Sequence, residues 1–153
     1  MDKTDIISNN KEGIGNLAVD GLIYGLVGGV AMYLFMAAVS IISRDGLGNL
    51  LGRFSVGGLT TPLQGLLGHL AVSAIYGLLF GVVLWPVLRR ISTRPISGWI
   101  GGLVYAGFLF LLAQLAILPM TDSPLGKIPA WQFTLGHAIY GLVLGGMFTR
   151  KAI

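Results

Sequence analysis

Polar residues fall in a few short clusters along this chain, and four apolar stretches run between them, at about 17–43, 66–88, 98–118 and 131–148. A hydrocarbon core about 30 Å thick takes roughly 20 apolar residues to span at 1.5 Å each. The first three stretches meet that length, and the fourth sits at its short end. The pattern predicts an all-α integral membrane protein built as a four-transmembrane-helix bundle. A tail at 1–15 would precede a membrane domain at 16–149, and a basic tail at 150–153 would follow it.

Composition points the same way. Of 153 residues, 54% are hydrophobic and only 10% charged, with a mean hydropathy of +0.81. Globular domains carry about 25% charged residues, so this chain lacks the polar surface to coat a water-facing body. The region before the first stretch, "MDKTDIISNNKEG", mixes acids with lysines, and the apolar run is far longer than a signal-peptide core, so a retained span is expected. With no cysteine in the chain, disulfides, thiolate metal sites and thiol catalysis are excluded.

The charge pattern predicts an orientation. Arg89, Arg90 and Arg94 cluster between the second and third stretches, and Arg150 and Lys151 follow the fourth. Basic connections stay on the cytoplasmic side, which puts both termini inside, in the cell's inner (cytoplasmic) membrane. Trp85, Trp99 and Trp131 stand near the ends of their stretches, where indoles favour the headgroup boundary. Pro86 is expected to kink or end the second helix. In the first outer connection, Leu47, Leu50, Leu51 and Phe54 recur at helical spacing and predict a short interfacial helix. The second, "PMTDSPLGKIPA", reads as an extended, stiff connection. The net charge of +4 suits insertion topology and lipid headgroups, not nucleic acid.

One phrase repeats. "LGHLAVSAIYGL" at 67–78 is "LGHAIYGL" at 135–142 with four residues inserted, and "GLIY" at 21–24 matches "GLVY" at 102–105. Tyr24 and Tyr105 lie at one depth in the odd helices, and Tyr76 and Tyr140 at another in the even ones. Two duplicated helical hairpins would give this pattern. Four residues make about one turn plus 40°, so His69 keeps roughly the face relation to Tyr76 that His137 has to Tyr140. Gly25 and Gly29, Gly77 and Gly81, Gly98 and Gly102, and Gly141 and Gly145 are each four apart, the spacing that lets membrane helices approach closely.

Ionisable and polar residues inside spans are the default functional candidates. Asp20 is placed in the first turn of the first helix, pairing with Arg89, Arg90 or Arg150, or serving as a proton or ion site. His69, Gln114 and His137 share a depth below the outer surface, near Met36 and Ser40. This layer serves interhelical hydrogen bonding, or ligation of a haem or chlorin by imidazole, or a quinone or solute site. Two histidines with no carboxylate at their depth make a thin metal-ligand set. No HExxH, GxSxG, SxxK or Walker-type spacing occurs, so a non-enzymatic role is expected. The leading expectation is an accessory or structural subunit that packs against other membrane subunits or copies of itself. A small homo-oligomeric channel or transporter is the alternative.

Overall fold

The computed structural model of the protein describes residues 13–54, 61–92, 94, 96–121 and 124–151. Among them there is no strand. Helix α1 (Ile14–Ile42) is followed by the short α2 (Leu47–Arg53). Helix α3 (Pro62–Leu79) runs through a π-helical turn (Phe80–Leu84) into α4 (Trp85–Ile91). Helix α5 (Ile96–Leu112) likewise passes through a π-turn (Ala113–Ile117) into α6 (Leu118–Thr121). A 3₁₀ turn (Pro124–Lys127) then leads to α7 (Ala130–Lys151).

Among the described residues three segments are long and apolar enough to cross a membrane: Ile14–Ile42, Leu63–Ile91 and Ile96–Met120. Each outruns its apolar stretch by a few residues, because helix hydrogen bonding continues into the polar flanks. Helix α7, at 22 residues, has the length but is less apolar. Large side chains point outwards around the apolar helices, among them Ile23 and Leu34 of α1, Leu67 and Ile75 of α3, and Val104 and Phe108 of α5. Such a surface matches lipid rather than water.

Both π-turns have a common cause. A proline inside a helix lacks an N–H and presses on the carbonyl four residues back. One extra residue in the turn before Pro86 and before Pro119 relieves that clash. The N–H of Trp85 reaches Phe80 O and that of Leu118 reaches Ala113 O, each five residues back. Pro86 therefore does not end its helix. Nor are the described residues of the second connection all extended. Pro119 lies inside α6, and Pro124 opens the 3₁₀ turn, where its fixed φ suits a first helical position.

Two seams hold the helices together, and both are made of backbone. Helix α1 lies on α3, and α5 lies on α7. A Cβ on Gly21 would stand 2.5 Å from Gly77 O, and one on Gly25 2.7 Å from Gly77 Cα. Gly81 meets Leu17 O at 2.5 Å. On the other seam, a Cβ on Gly102 would lie 3.0 Å from Gly145 Cα, and one on Gly141 2.6 Å from Ala106 Cβ. A third contact joins the hairpins: Gly28 of α1 admits the Tyr140 ring of α7, 3.0 Å from where a Cβ would be. Around these contacts Met36, Phe80, Leu144 and Phe148 are fully buried.

The α1–α2 turn returns the chain over the bundle. Arg44 adopts a left-handed conformation (φ 60) at the helix end, and Gly46 (φ 84) follows it. Asp45 binds Arg53 at 2.7 Å, and Ser40 Oγ donates to Gly46 O. Helix α2 thus packs its backbone against Gly65 of α3 and buries Leu50 and Phe54. The interfacial helix expected here is packed on the bundle, not lying free. The start of the "GGLTTPLQG" segment, Asp122 and both chain ends lie outside the described residues.

These contacts predict a contrast between two glycines. Gly77→Ala forces a methyl into backbone and should destabilise the protein by about 1–3 kcal/mol. Gly107 has open space where a Cβ would go, so Gly107→Ala should be neutral or stabilising by up to about 1 kcal/mol. Thermal unfolding of the two variants in the same detergent reads the difference.

Candidate functional site: a polar layer beneath α2

The loop-side half of the bundle, beneath α2, holds most of its uncharged polar side chains. His69 lies on α3 and is buried. Its Nε2 is 2.9 Å from Gly29 O on α1. A carbonyl oxygen only accepts, so Nε2 carries the proton and Nδ1 the lone pair. Phe54, the residue that follows α2, covers the imidazole, ring centroids 4.6 Å apart. Ser73, one turn further along α3, donates to His69 O at 2.8 Å and fits against Gly29.

His137 is anchored differently. Its Nδ1 donates to Phe133 O within α7, at 2.9 Å, so Nε2 holds the lone pair. Phe133 and Phe110 stand edge-on to the ring, at 4.5 and 5.9 Å. Neither a hydrogen bond nor a ring contact joins the two imidazoles. His69 belongs to the α1–α3 seam and His137 to the α5–α7 seam. Gln114, on the π-turn after α5, is half-buried and has no hydrogen-bond partner among the described residues. The three residues expected as one set are therefore placed on separate supports.

Other residues carry the cross-links, and they are less conspicuous in sequence. Tyr140 Oη donates to Ser73 O, joining α7 to α3 at 2.8 Å, and Tyr105 Oη donates to Tyr76 O, joining α5 to α3 at 2.9 Å. Gln132 Nε2 reaches Met36 O at 3.4 Å. Ser73 and Gln132 escape notice because one hydroxyl or amide in an apolar run gives no periodic signal. The tyrosines stand out by their matched depths, though their acceptors do not.

At the opposite end, Asp20 forms an ion pair with Lys151. Two expectations change here. Helix α1 begins at Ile14, a turn and a half before Asp20, so the carboxylate is not at the helix N-terminus. Its partner is Lys151, because α7 keeps its helical course one residue past Arg150 and lies against α1.

The expected glycines sort by what they touch. Gly25, Gly77, Gly81, Gly102, Gly141 and Gly145 meet backbone or Cβ atoms of the opposing helix. Gly29 meets the Ser73 side chain, and Gly98 meets Thr149 Oγ1, Trp85 and Gly145 O. No family model, curated protein or solved structure matches the chain.

The supports differ enough to be separated by measurement. His69→Leu and Tyr140→Phe each remove a bond between helices and should cost about 0.6–2 kcal/mol. His137→Leu removes a bond within one helix and should cost less than either. Unfolding in mild detergent, followed by circular dichroism, should give that order.

Proposed function

We propose that the protein is a four-span membrane protein with both termini cytoplasmic, acting as a non-catalytic accessory subunit. Helix α7 is its fourth span. The lower apolarity of α7 comes from polar side chains whose hydrogen bonds are satisfied inside the protein. Gln132 bonds to Met36 O, His137 to Phe133 O, Tyr140 to Ser73 O and Thr149 to Gly145 O. Polar groups bonded internally remove the main penalty for crossing lipid. The seam with α5 also keeps α7 beside a helix that is long and apolar enough to span.

Two copies of one hairpin account for the arrangement. Aligning the tyrosine phrases pairs Gly21 with Gly102, Gly77 with Gly141 and Gly81 with Gly145. The contact of Gly81 with Leu17 O then corresponds to that of Gly145 with Gly98 O. Ser73 donating to His69 O corresponds to His137 donating to Phe133 O. Gly29 against Ser73 corresponds to Phe110 against His137. The same places are kept while the residues in them change.

The observation that carries the accessory role is the outer face of α5. In the segment Ile96–Met120, which α5 opens, only 17% of the apolar window is buried, against 39% in Ile14–Ile42. Val104, Gly107, Phe108 and Leu111 are exposed along it, and Gly107 gives a partner helix room to approach. The occupant is a transmembrane helix of another membrane subunit or of a second copy. A second reading has one observation in its favour. His137 keeps Nε2 unprotonated with Nδ1 tied to a carbonyl, the state of an imidazole that ligates a haem or chlorin iron or magnesium. His69 uses Nε2 structurally and is unsuited to that role.

The absence of native cysteine makes single-cysteine experiments direct. Ser92→Cys should react only with reagents on the cytoplasmic side and Lys127→Cys only with reagents outside. Labelling of both from one side would sink the four-span topology. Val104→Cys should cross-link in native membranes to a partner helix, and Gly107→Trp should abolish that product. A monomer that never cross-links would end the accessory role. An absorption band lost in His137→Ala but kept in His69→Leu would favour the cofactor reading.

A further inference from the structure

Several polar side chains inside the helices end on a main-chain oxygen: His69 on Gly29, Tyr140 on Ser73 and Gln132 on Met36. Gln114 ends on none among the described residues. No buried side-chain nitrogen or oxygen of those residues lacks a partner. The Gln114 carboxamide does lack one, so it opens onto the surface of the bundle. It stands about 9 Å short of Met120, where the apolar segment Ile96–Met120 ends. Leu111, Leu115 and Ile117 around it are exposed too. An amide that faces hydrocarbon without a partner is costly.

Gln114 continues a row along α5. Ile100, Val104, Gly107, Leu111 and Gln114 follow one another at steps of four, three, four and three residues. That is the spacing of a left-handed coiled-coil seam. Ile100, Val104 and Leu111 are each more than half exposed, so the row faces away from the bundle. The π-turn begins only at Ala113, so it displaces Gln114 little from the row. Gly98, Gly101 and Gly102 of the same helix each meet a neighbour, whereas Gly107 meets nothing within 4 Å. A glycine in the middle of such a row lets a second helix approach closely.

The complement of this row is the row itself. Copies inserted the same way hold equal residues at equal depth, and a two-fold axis along the membrane normal sets each row against its counterpart. Gly107 then opposes glycine, and Val104 and Leu111 pack on either side of the notch. A carboxamide carries donor and acceptor together, so the partial charges of two Gln114 amides are complementary. The Nε2–H of each donates to Oε1 of the other, which a lipid tail cannot match. We propose that α5 pairs in parallel with α5 of a second copy of this chain, through Ile100, Val104, Gly107 and Leu111 and a hydrogen-bonded pair of Gln114 amides. The pairing rests on the reading of the outer face of α5 as an interface, and it names the occupant.

Purified full-length protein in phosphatidylcholine vesicles has only itself to pair with, which separates this claim from the wider one. On mild oxidation Val104→Cys and Leu111→Cys should each give a disulfide-linked product of twice the chain's mass. Val72→Cys, exposed on α3, should not. Energy transfer between dyes on Lys127→Cys, followed over a range of protein-to-lipid ratios, reads the affinity. Gln114→Leu should weaken association about threefold to thirtyfold, the range for one hydrogen bond between membrane helices. Gln114→Asn keeps an amide and should recover part of that loss. Because Gln114 bonds to none of the described residues, both variants should unfold in detergent at the wild-type temperature, which distinguishes lost association from misfolding. A monomer in vesicles whose Val104→Cys variant cross-links to a different chain in native membranes would overturn the second copy and leave the face an interface. A monomer in both settings would overturn both readings. Association unaltered by Gln114→Leu would overturn the proposal as well.

Discussion

Everything in this bundle depends on main chains touching where side chains would ordinarily keep them apart. In lipid the helices gain nothing by hiding apolar side chains from one another, because the solvent is equally apolar. Association has to come from close van der Waals contact and from bonds to groups that would otherwise go unsatisfied. Gly21 and Gly25 against Gly77, and Gly102 against Gly141 and Gly145, supply the first. Once α1 and α3 lie that close, His69 reaches a main-chain oxygen of the neighbouring helix. Tyr140 crosses to the Ser73 carbonyl because Gly28 leaves room for its ring. The polar contacts follow from the glycine seams.

The same dependence explains which features are legible in sequence. Glycine spacing is local, so the order of residues alone marks the faces that meet. Apolar length locates three of the helices that are fit to cross a membrane. What stays hidden is anything needing a partner's identity. Two histidines in one phrase look alike, yet His69 bonds across a seam and His137 bonds within its helix. The four-residue insertion decides this. It moves His69 one turn beyond the place that His137 occupies, which in the first hairpin belongs to Ser73. Asp20 is legible as a carboxylate near a basic end, but its partner depends on where α7 stops. Pro86 has the signature of a helix breaker, because a sequence does not reveal that a π-turn will absorb the clash.

If the two hairpins descend from one, their differences are as informative as their likeness. The first keeps Gly29, His69 and Ser73 where the second has Phe110, Phe133 and His137. A small-and-polar set closes one seam by hydrogen bonds, and an aromatic set closes the other by ring contacts. The likeness also fails between hairpins. Gly28 lets α1 and α7 lie together, whereas Leu109 stands at the corresponding place on α5. Helix α5 accordingly meets its other neighbour chiefly beyond α3, through Leu88 on Gly101 and Phe80 on Tyr105. The joint of α1 with α7 is thus closer than that of α3 with α5.

That asymmetry bears on how so small a protein would serve a complex. A bundle closed equally on all sides would show lipid the same face everywhere. Here α1 and α7 take the tight joint, and the segment Ile96–Met120, which α5 opens, has the least buried apolar window. Within α5 Tyr105 already bonds to α3, and the amide without a partner among the described residues, Gln114, stands beyond it on the π-turn. A partner helix arriving at Gly107 would therefore meet apolar side chains and open space, with no buried bond to break. The glycine seam with α7 would hold α5 in place on the bundle while its outer face meets such a partner.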